Sequence, residues 1–278
     1  MRYNNSPITK GEIIIVCIAL VIWTTICVFI NMAISNAVSK SNEVYYKAIQ
    51  IDNDAEMFEY AMRTNAGNAL VYGTVSCSDP VSTDMLNGQY LAVRVDVDRY
   101  ERNVTYEDIT DEEGNVIGQR EVVSYDWENY KTSTSHAGTI NFLGQEFPYS
   151  KLNISNYTSL SLNSSNVKDE WTGDIRMGYI YPDGRFYHSV GDLRYSFDVI
   201  PLEQNVTVLA DLRDSTIFNV NSQNGGATLH YNTTIPEVIK SIESSKYAGN
   251  ILFSIVWYVL FGFIAYLFVN ERNRWADC

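Results

Sequence analysis

Two long apolar runs near the ends of the chain constrain its fold more than any other feature. Residues 13–34 and residues 248–269 are each 22 residues long and contain no Asp, Glu, Lys or Arg. A helix rises about 1.5 Å per residue, so each run spans roughly 33 Å, which matches a hydrocarbon core about 30 Å thick. Only a helix or a closed barrel satisfies the backbone hydrogen bonds inside lipid. We therefore predict two transmembrane helices.

Each run has an alternative interpretation. The first run can be a cleaved signal peptide, although the apolar core of a signal peptide is usually only about 7–15 residues long. Ser35 and Ala37 fit the small-residue pattern of a cleavage site, so this alternative stays open. The second run can be a buried core helix, but its length, its lack of charge and its Trp and Tyr residues favour a membrane span.

The charge of the central region predicts its side of the membrane. Two spans place both chain ends on the same side, and the basic residues that flank the spans are divided equally between the two sides. Residues 36–246 hold 16 of the 20 basic residues and 30 of the 33 acidic residues, which gives this region a net charge of -14. A large acidic loop is placed more easily outside the cytoplasm, so we predict cytoplasmic chain ends. The acid excess also excludes a nucleic-acid binder, because phosphate binding needs a basic face.

Asn-x-Ser/Thr motifs and cysteines agree with an external location. Six motifs in the central region are candidate glycosylation sites. Their acceptors are Asn103, Asn153, Asn156, Asn163, Asn205 and Asn232. Asn, Ser and Thr are abundant enough here that ordinary surface loops remain the alternative. Cys77 is the only thiol in residues 36–246, so no disulfide can form within that region and its own core must hold it together.

The hydrophobic period of the central region changes from helical to strand-like. Residues 36–64 have helical spacing, and Asn65-Ala66-Gly67-Asn68 then interrupts the helix. Residues 90–98 alternate between apolar and charged side chains, residues 111–115 form a turn cluster, and residues 116–130 are rich in Val, Tyr and Trp; this order predicts a long hairpin. Two further strands are predicted as a pair over residues 193–200 and 206–212. Strands over residues 177–181 and 186–188 are predicted on either side of a Pro182-Asp183-Gly184 turn.

The class that these elements define is α+β, with a β-rich extracytoplasmic domain inserted between two transmembrane helices. The predicted helix before the second span has a capping-box pattern at Thr234-Ile235-Pro236-Glu237. The predicted order is a cytoplasmic tail over 1–12, a span over 13–34, a juxtamembrane helical segment over 35–64, the β-rich domain over 65–232, a juxtamembrane helix over 233–247, a span over 248–269 and a cytoplasmic tail over 270–278.

Three stretches, in this order between the spans, resemble the LUMA (transmembrane protein 43) family. They are residues 68–75 (NALVYGTV), residues 94–100 (RVDVDRY) followed by Tyr125-Asp126-Trp127, and residues 190–197 (VGDLRYSF) followed by residues 206–210 (VTVLA). The resemblance covers about residues 10–245 and implies a membrane-resident scaffold with its large domain in a lumen or outside the cell. Family members usually carry several spans after the domain, whereas this sequence shows one. A weaker likeness is to the membrane-flanked domain of GIDE-type ubiquitin ligases. This sequence lacks the Cys/His zinc ring that those ligases need, so ligase activity does not follow.

No known catalytic or metal-binding motif is present. The sequence has no G-x-S-x-G, H-E-x-x-H, C-x-x-C or P-loop pattern, and its three histidines are far apart. We therefore predict no catalytic residue, no metal and no cofactor. The acidic cluster around Asp111 lacks the spacing of a calcium loop and is interpreted as a solvated hairpin tip.

The residues singled out as an interaction or structural signature are Gly191, Asp192, Arg194, Phe197 and Trp127. Positions i and i+2 of a strand share a face, so Asp192 and Arg194 can pair with each other or bind a polar partner. The alternative is a salt bridge that fixes their strand to its neighbour. Gly191 is expected at a bulge or a turn.

Three functions from different classes follow. The first is a non-enzymatic, multi-pass scaffold of the cell membrane, or of an endomembrane in a eukaryote, whose partners are the bilayer, a second copy of itself and other membrane or envelope proteins. The second is a sensor that signals through its juxtamembrane helices, which predicts a deep pocket of aromatic and polar groups in the β-rich domain. The third is an enzyme whose site would gather His188, Ser189 and Asp192 around a cleft.

Overall fold

The computed structural model describes residues 10–152, 154–220 and 227–275, and these residues form two units. One unit comprises residues up to Ala48 together with those from Ile235 onward, and the other comprises Ile49–Thr234. The first unit is helical and the second is rich in strands. The α+β class is therefore confirmed, with a β-rich central region between two apolar helices.

In chain order the elements are α1 (Lys10–Ser41), α2 (Glu43–Lys47), β1 (Ile49–Asp52), α3 (Ala55–Arg63), β2 (Gly67–Ser76), β3 (Ala92–Thr110), β4 (Val116–His136), β5 (Thr139–Phe142), β6 (Gln145–Pro148), α4 (Tyr149–Leu152), β7 (Thr158–Ser159), β8 (Ile175–Arg176), β9 (Tyr179–Ile180), β10 (Leu193–Ile200), β11 (Gln204–Arg213), β12 (Thr216–Phe218), β13 (Thr228–Tyr231) and α5 (Ile235–Trp275).

The helical unit contains two helices that are long and apolar enough to cross a membrane. They are α1 and α5, with mean hydropathies of 3.1 and 2.3 over their most apolar stretches. Most of their large apolar side chains are exposed, as Phe29 and Val259 illustrate. A core helix of a soluble protein would bury these side chains, so the exposure matches lipid contact better. Helix α5 is continuous through the predicted juxtamembrane helix and the predicted second span.

Hydrogen bonds and ring stacking hold α1 against α5 in antiparallel orientation. The indole rings of Trp23 and Trp257 stack with centroids 4.4 Å apart, and each indole N–H donates to the backbone carbonyl of the other tryptophan at 3.1 Å. Further side-chain bonds join the helices at Asn31–Ser254 (3.1 Å), Asn250–Ser35 (2.7 Å) and Lys246–Ser39 (3.0 Å). Bonds of this kind stabilise helix pairs in lipid, where apolar burial gives little drive for association.

The first sheet of the β-rich unit has the strand order β12-β11-β2-β5-β6, with β1 beside β2 and β13 beside β11. Helix α3 begins after Asp54, whose carboxylate accepts from the Met57 N–H at 2.9 Å, and it buries Phe58 completely. The Phe58 ring meets the rings of Phe142 and Phe147 edge-on, which fixes α3 on the sheet.

One strand interrupts the helical segment predicted over residues 35–64. Strand β1 lies between α2 and α3 and pairs in parallel with β2, with Ile51 opposite Val71. The physical reason is the alternation of Ile49 and Ile51, since β-branched residues favour strands and Ile51 becomes fully buried in the sheet.

The second sheet has the order β4-β3-β10-β9-β8, with β7 beside β10. The predicted hairpin is confirmed as β3 and β4, which pair from Ala92–His136 to Thr110–Val116. One face of this sheet carries Val93, Phe197 and Val199 into a second hydrophobic core with Leu86 and Ile180.

The predicted pairing of residues 193–200 with residues 206–212 is wrong. Both segments are strands, but β10 pairs with β3 in the second sheet and β11 pairs with β2 in the first. Strand β11 is apolar and buried on both faces from Val206 to Ala210, which suits a central position. Strand β10 buries Phe197 and Val199 on one face, whereas Arg194, Ser196 and Asp198 on the other face stay partly exposed, so it fits a sheet with one accessible side.

The Pro182-Asp183-Gly184 turn forms, but only part of its predicted flanks is strand. The Gly184 N–H donates to the Tyr181 carbonyl at 3.0 Å across the turn. Strand β9 precedes it, whereas residues 186–188 form a bend instead of the predicted strand.

Candidate interaction surface

Arg194 and Trp127 come together on the accessible face of the second sheet. Register places Arg194 of β10 opposite Asp98 of β3, and the Arg194 Nε donates to Asp98 Oδ2 at 2.9 Å. The guanidinium also lies over two rings, 4.7 Å from the Trp127 centroid and 3.9 Å from the Tyr179 centroid. Arg194 therefore fixes β10 to β3, as the salt-bridge alternative predicts, and supports Trp127 at the same time.

Aromatic side chains extend this contact into a continuous group. The His188 ring lies 4.9 Å from Trp127 and 5.3 Å from Tyr181, and Tyr100 lies 5.2 Å from Trp127. We call the set of Tyr100, Trp127, Tyr179, Tyr181, His188 and Arg194 the aromatic cluster. Its members come from β3, β4, β9, β10 and the loop before β10, so the cluster joins the long hairpin to the other end of the sheet.

Asp192 and Arg194 do not pair with each other. Asp192 precedes the first residue of β10, and its carboxylate accepts from the Ser189 N–H at 2.7 Å. That backbone hydrogen bond holds the pKa of Asp192 below its usual value. Residues i and i+2 share a face only inside a strand. Asp192 lies outside β10, where Gly191 turns the chain at a φ of +98°.

Gly191 and Phe197 have structural positions. The Gly191 N–H donates to the Tyr100 carbonyl at 2.8 Å, and the Tyr100 N–H donates to the Asp192 carbonyl at 2.9 Å. Phe197 is buried in the second core on the opposite face of the sheet. Of the five signature residues, the structure therefore brings only Trp127 and Arg194 to one surface.

The outer half of the hairpin extends beyond the rest of the sheet. Strand β10 accompanies β3 only as far as Arg99, opposite Leu193. Beyond Tyr100, β3 pairs only with β4 among the described residues. We call residues 101–126 the arm; it is a two-stranded ribbon, and no other strand among the described residues pairs with either of its outer edges.

The apolar side of β3 changes along its length. Val93 and Val95 pack in the second core and Val97 of the same parity is buried, whereas Val104 and Tyr106 have the opposite parity and lie on the accessible face. The change follows a bulge in the pairing between Val97 and Asp98. The arm therefore has an apolar face on the side of the sheet that carries the aromatic cluster.

The two faces of the arm differ in chemistry. Val104 pairs with Val123, and Arg102 pairs with Tyr125, on the apolar face. We define the apolar stripe as Val104, Tyr106, Val123 and Tyr125. Tyr106 is 65% exposed and Tyr125 is 52% exposed. The other face carries the cross-strand pairs Glu101–Asp126, Asn103–Ser124 and Glu107–Arg120.

The acidic tip of the arm is a hydrogen-bonded turn. The Asp111 carboxylate accepts from the backbone N–H groups of Asn115 at 2.8 Å and Glu113 at 3.0 Å. Hydrogen bonds from Asn115 make the largest contribution to lowering the pKa of Asp111, and the backbone N–H groups of Glu113 and Gly114 add to it. Across residues 10–152, 154–220 and 227–275, no group of three or more His, Cys, Asp or Glu side chains is arranged to hold a metal ion.

The histidines are dispersed. His136 stacks on Tyr149 at 4.2 Å, His188 belongs to the aromatic cluster, and burial lowers the pKa of His230 on β13. The Ser189 contact with Asp192 is made by its backbone N–H, which is not the contact that a nucleophilic serine needs.

The glycosylation acceptors occupy varied positions. Asn103 lies on the polar face of the arm, where its side chain donates to Glu128 at 2.6 Å. Asn163 is exposed in a turn, and its side-chain oxygen accepts from the Ser165 N–H at 2.9 Å. Asn205 and Asn232 are exposed and Asn156 is half-buried, whereas Asn153 lies outside the described residues.

Among the described residues, two of the cavities lie on helices, away from the aromatic cluster. An open groove of about 650 Å³ runs along α1 and α5, lined by Asn31, Tyr247, Asn250, Ser254 and Tyr258 together with aliphatic side chains. A smaller one of about 520 Å³ lies on α3, lined by Asp54, Glu56, Met57, Glu59, Tyr60 and Arg63. Neither is the deep aromatic pocket in the β-rich domain that the sensor hypothesis predicts.

Sequence reasoning missed most of the aromatic cluster. The sequence does not predict that Tyr100, Tyr179, Tyr181 and His188 come together with Trp127, because these four residues are spread over 89 residues of sequence. The change of apolar parity between Val97 and Tyr100 was a readable signal, since it predicts that the outer half of the strand presents its apolar side to a different neighbour.

The chain matches no protein-family model, no curated protein and no solved structure.

Proposed function

We propose that this chain is a membrane-anchored scaffold that crosses the bilayer twice and binds another membrane or envelope protein through its arm. Two exposed apolar helices support the crossings, and the acidic charge of the central region supports a location outside the cytoplasm. The membrane is the cell membrane, or an endomembrane in a eukaryote. The resemblance to the LUMA family implies the same kind of role.

The apolar stripe is the observation that carries this proposal. An isolated two-stranded ribbon is marginally stable in water, and open edges with an exposed apolar face are typical of strands that add to a partner. Here the stripe is continuous with the aromatic cluster, whose Trp, Tyr and Arg side chains are the types most enriched in binding hot spots.

Charge favours a basic partner over a second copy of the arm. The arm contains eight acidic residues and two basic ones. Both basic residues are already engaged, since Arg102 pairs with Glu121 at 3.0 Å and Arg120 pairs with Glu107 at 2.6 Å. Two copies of this arm would repel each other, whereas a basic strand or surface would neutralise it.

A site-specific photocrosslinker tests the proposal in native membranes. The reactive side chain is introduced at Tyr125 on the apolar stripe and, as the matched control, at Ser124 on the opposite face of the same strand. We expect a discrete crosslinked adduct from position 125 and none from position 124, because adjacent residues of a strand face opposite sides. Mass spectrometry of the adduct then identifies the partner.

The outcomes separate the alternatives. An adduct between two differently tagged copies would replace the basic partner with self-association. Equal crosslinking from positions 124 and 125, or none from either, would contradict the use of the arm as a binding surface.

A sensor is the second candidate, and the continuity of α5 favours it. One helix of 41 residues leads from the end of the β-rich unit through the apolar segment. Inserting two alanines after Lys246 would rotate one part of α5 relative to the other by roughly 200°. A sensor predicts that the insertion changes signalling output, whereas a scaffold keeps its partner adduct unchanged.

A further inference from the structure

Four large apolar side chains are highly exposed within one short stretch of the β-rich unit. Met177 is 93% exposed, Phe186 79%, Tyr187 85% and Val190 57%. We call these four residues the apolar tip. Single exposed apolar residues are ordinary on protein surfaces, but a group of four calls for a physical explanation.

The apolar tip is formed by two adjacent turns. Met177 and Gly178, at φ values of +50° and +82°, make the two-residue turn between β8 and β9. The other three residues lie in the loop between Tyr181 and β10. The Tyr181 ring joins the two turns, because Arg176 lies 4.6 Å above it and His188 stacks on it at 5.3 Å.

Hydrogen bonds hold the loop in this shape. The Gly184 N–H bonds to the Tyr181 carbonyl at 3.0 Å at the start of the loop, and the Gly191 N–H bonds to the Tyr100 carbonyl at 2.8 Å at its end. The Asp192 carboxylate accepts from the Ser189 N–H at 2.7 Å between them. The fold therefore presents Phe186 and Tyr187 to the surroundings from a fixed frame.

The apolar tip is uncharged within a strongly acidic unit. Residues 49–234 contain 27 acidic and 12 basic residues, but residues 186–191 contain no Asp, Glu, Lys or Arg. Of the nearest charged side chains, Asp183 has one buried carboxylate oxygen and Asp192 bonds to the backbone, whereas Arg176 and Arg185 directly precede Met177 and Phe186. Aromatic side chains without charge are typical of groups that sit among lipid headgroups.

We propose that the apolar tip inserts into the headgroup layer of a zwitterionic bilayer. This inference rests on the proposed membrane crossing. The β-rich unit is tethered at both ends, since β1 begins directly after Ala48 and only residues 232–234 separate β13 from α5. A short tether gives lipid a high effective concentration, so a small apolar contact is enough for insertion. The excess of 27 acidic over 12 basic residues in the β-rich unit as a whole disfavours an anionic bilayer.

A fluorescent probe on single cysteines tests the insertion with the full chain. The four native cysteines are replaced by serine, and the environment-sensitive dye NBD is attached at Tyr187→Cys, at Glu112→Cys on the arm tip, or at Val21→Cys on α1. Each protein is reconstituted in phosphatidylcholine vesicles with or without a spin-labelled lipid quencher. Parallel vesicles contain phosphatidylserine.

We expect the dye at position 187 to show blue-shifted emission and several-fold stronger lipid quenching than the dye at position 112. The additional substitutions Met177→Ser and Phe186→Ser should reduce that quenching, as should phosphatidylserine. Emission and quenching at position 187 equal to those at position 112 would overturn the insertion. Quenching at position 21 reports the membrane crossing separately, so its absence would count against the proposed function itself.

Discussion

Arg194 contributes both to the stability of the second sheet and to its aromatic surface. Its guanidinium pairs with Asp98 and covers two rings, and the side chains of Arg194 and Asp98 are only 19% and 16% exposed. A carboxylate at this depth depends on its partner, because leaving it unpaired costs desolvation free energy without compensation.

We expect Arg194→Ala to lower the free energy of unfolding by roughly 1–3 kcal/mol, the usual cost of an unsatisfied charged group. Arg120→Ala is the matched control, since Arg120 also pairs with a carboxylate but is 67% exposed, and it should cost less than about 1 kcal/mol. Thermal unfolding of the full chain in detergent micelles, followed by circular dichroism, measures both. Equal losses would show that the Asp98 pair contributes no more than a surface salt bridge.

Asp198 gives the β-rich unit a defined response to acid. Burial acts to raise the pKa of Asp198, but hydrogen bonds from Ser159 at 2.6 Å and from Arg94 outweigh it, so the folded-state pKa lies below the ordinary value of 3.8. The unfolded chain therefore binds a proton first as the pH falls. The stabilisation from Asp198 is complete above pH 3.8 and is lost as the pH falls through the folded-state pKa.

Asp198→Asn should lower the melting temperature at neutral pH and reduce the further drop on acidification below about pH 4. Asp126→Asn removes one exposed charge and controls for net charge. Melting curves at neutral pH and at about pH 3 test this, and an acid response of Asp198→Asn identical to that of the unaltered chain would refute the assignment.

At the scale of elements, the inner and outer halves of β3 differ in how many strands pair with them. Residues 92–99 lie between β4 and β10, whereas residues 101–110 have β4 alone as a recorded neighbour within the described part of the chain. Local opening is easier where few buried apolar contacts and open hydrogen-bonding edges coincide.

Hydrogen exchange of the chain without a partner should therefore show two levels of protection in one strand. We expect backbone amides of residues 101–110 to exchange at least tenfold faster than those of residues 93–99, which corresponds to a difference of about 1.4 kcal/mol in opening free energy. Uniform protection along β3 would mean that the arm is stable on its own and needs no partner.

The contact between α1 and α5 can be captured covalently. Cys27 Sγ lies 4.0 Å from the Ser254 hydroxyl, so a sulfur at position 254 is close enough to bond to it. Oxidation of Ser254→Cys should crosslink the helices, and after proteolysis of the β-rich unit the two helical fragments should migrate together without reductant. Val256→Cys, at a 60% exposed position, is the control and should not crosslink. Crosslinking at both positions, or at neither, would contradict the observed helix register.

Elements whose structure depends on local sequence alone could be predicted. The hairpin, strand β10 and the two apolar helices follow from periodicity, turn residues and length. The sequence failed where tertiary context decides, because the alternation of β10 and the apolar run of β11 define strands without saying which sheet each strand joins. The Arg194–Asp98 pair and the rings around it depend on that register, so the sequence left open whether Arg194 pairs with Asp192 or with a neighbouring strand.

At the scale of the whole molecule, charge and apolar surface are segregated. Acidic residues crowd the central region, while exposed apolar residues concentrate on α1, α5, the apolar stripe and the apolar tip. We propose lipid tails as the neighbour of α1 and α5, a basic partner as the neighbour of the apolar stripe, and lipid headgroups as the neighbour of the apolar tip. Glycans at Asn103 would leave this division intact, because Asn103 lies on the polar face of the arm.

The crossing of the membrane and the external location of the β-rich unit are tested most directly by thiol labelling in intact cells. A membrane-impermeant maleimide is applied to a variant that keeps native Cys278, has its other cysteines replaced by serine, and carries Glu112→Cys on the arm tip. We predict that position 112 is labelled in intact cells and that Cys278 is labelled only after the membrane is permeabilised. Labelling of Cys278 in intact cells, or protection of position 112 until permeabilisation, would contradict the account.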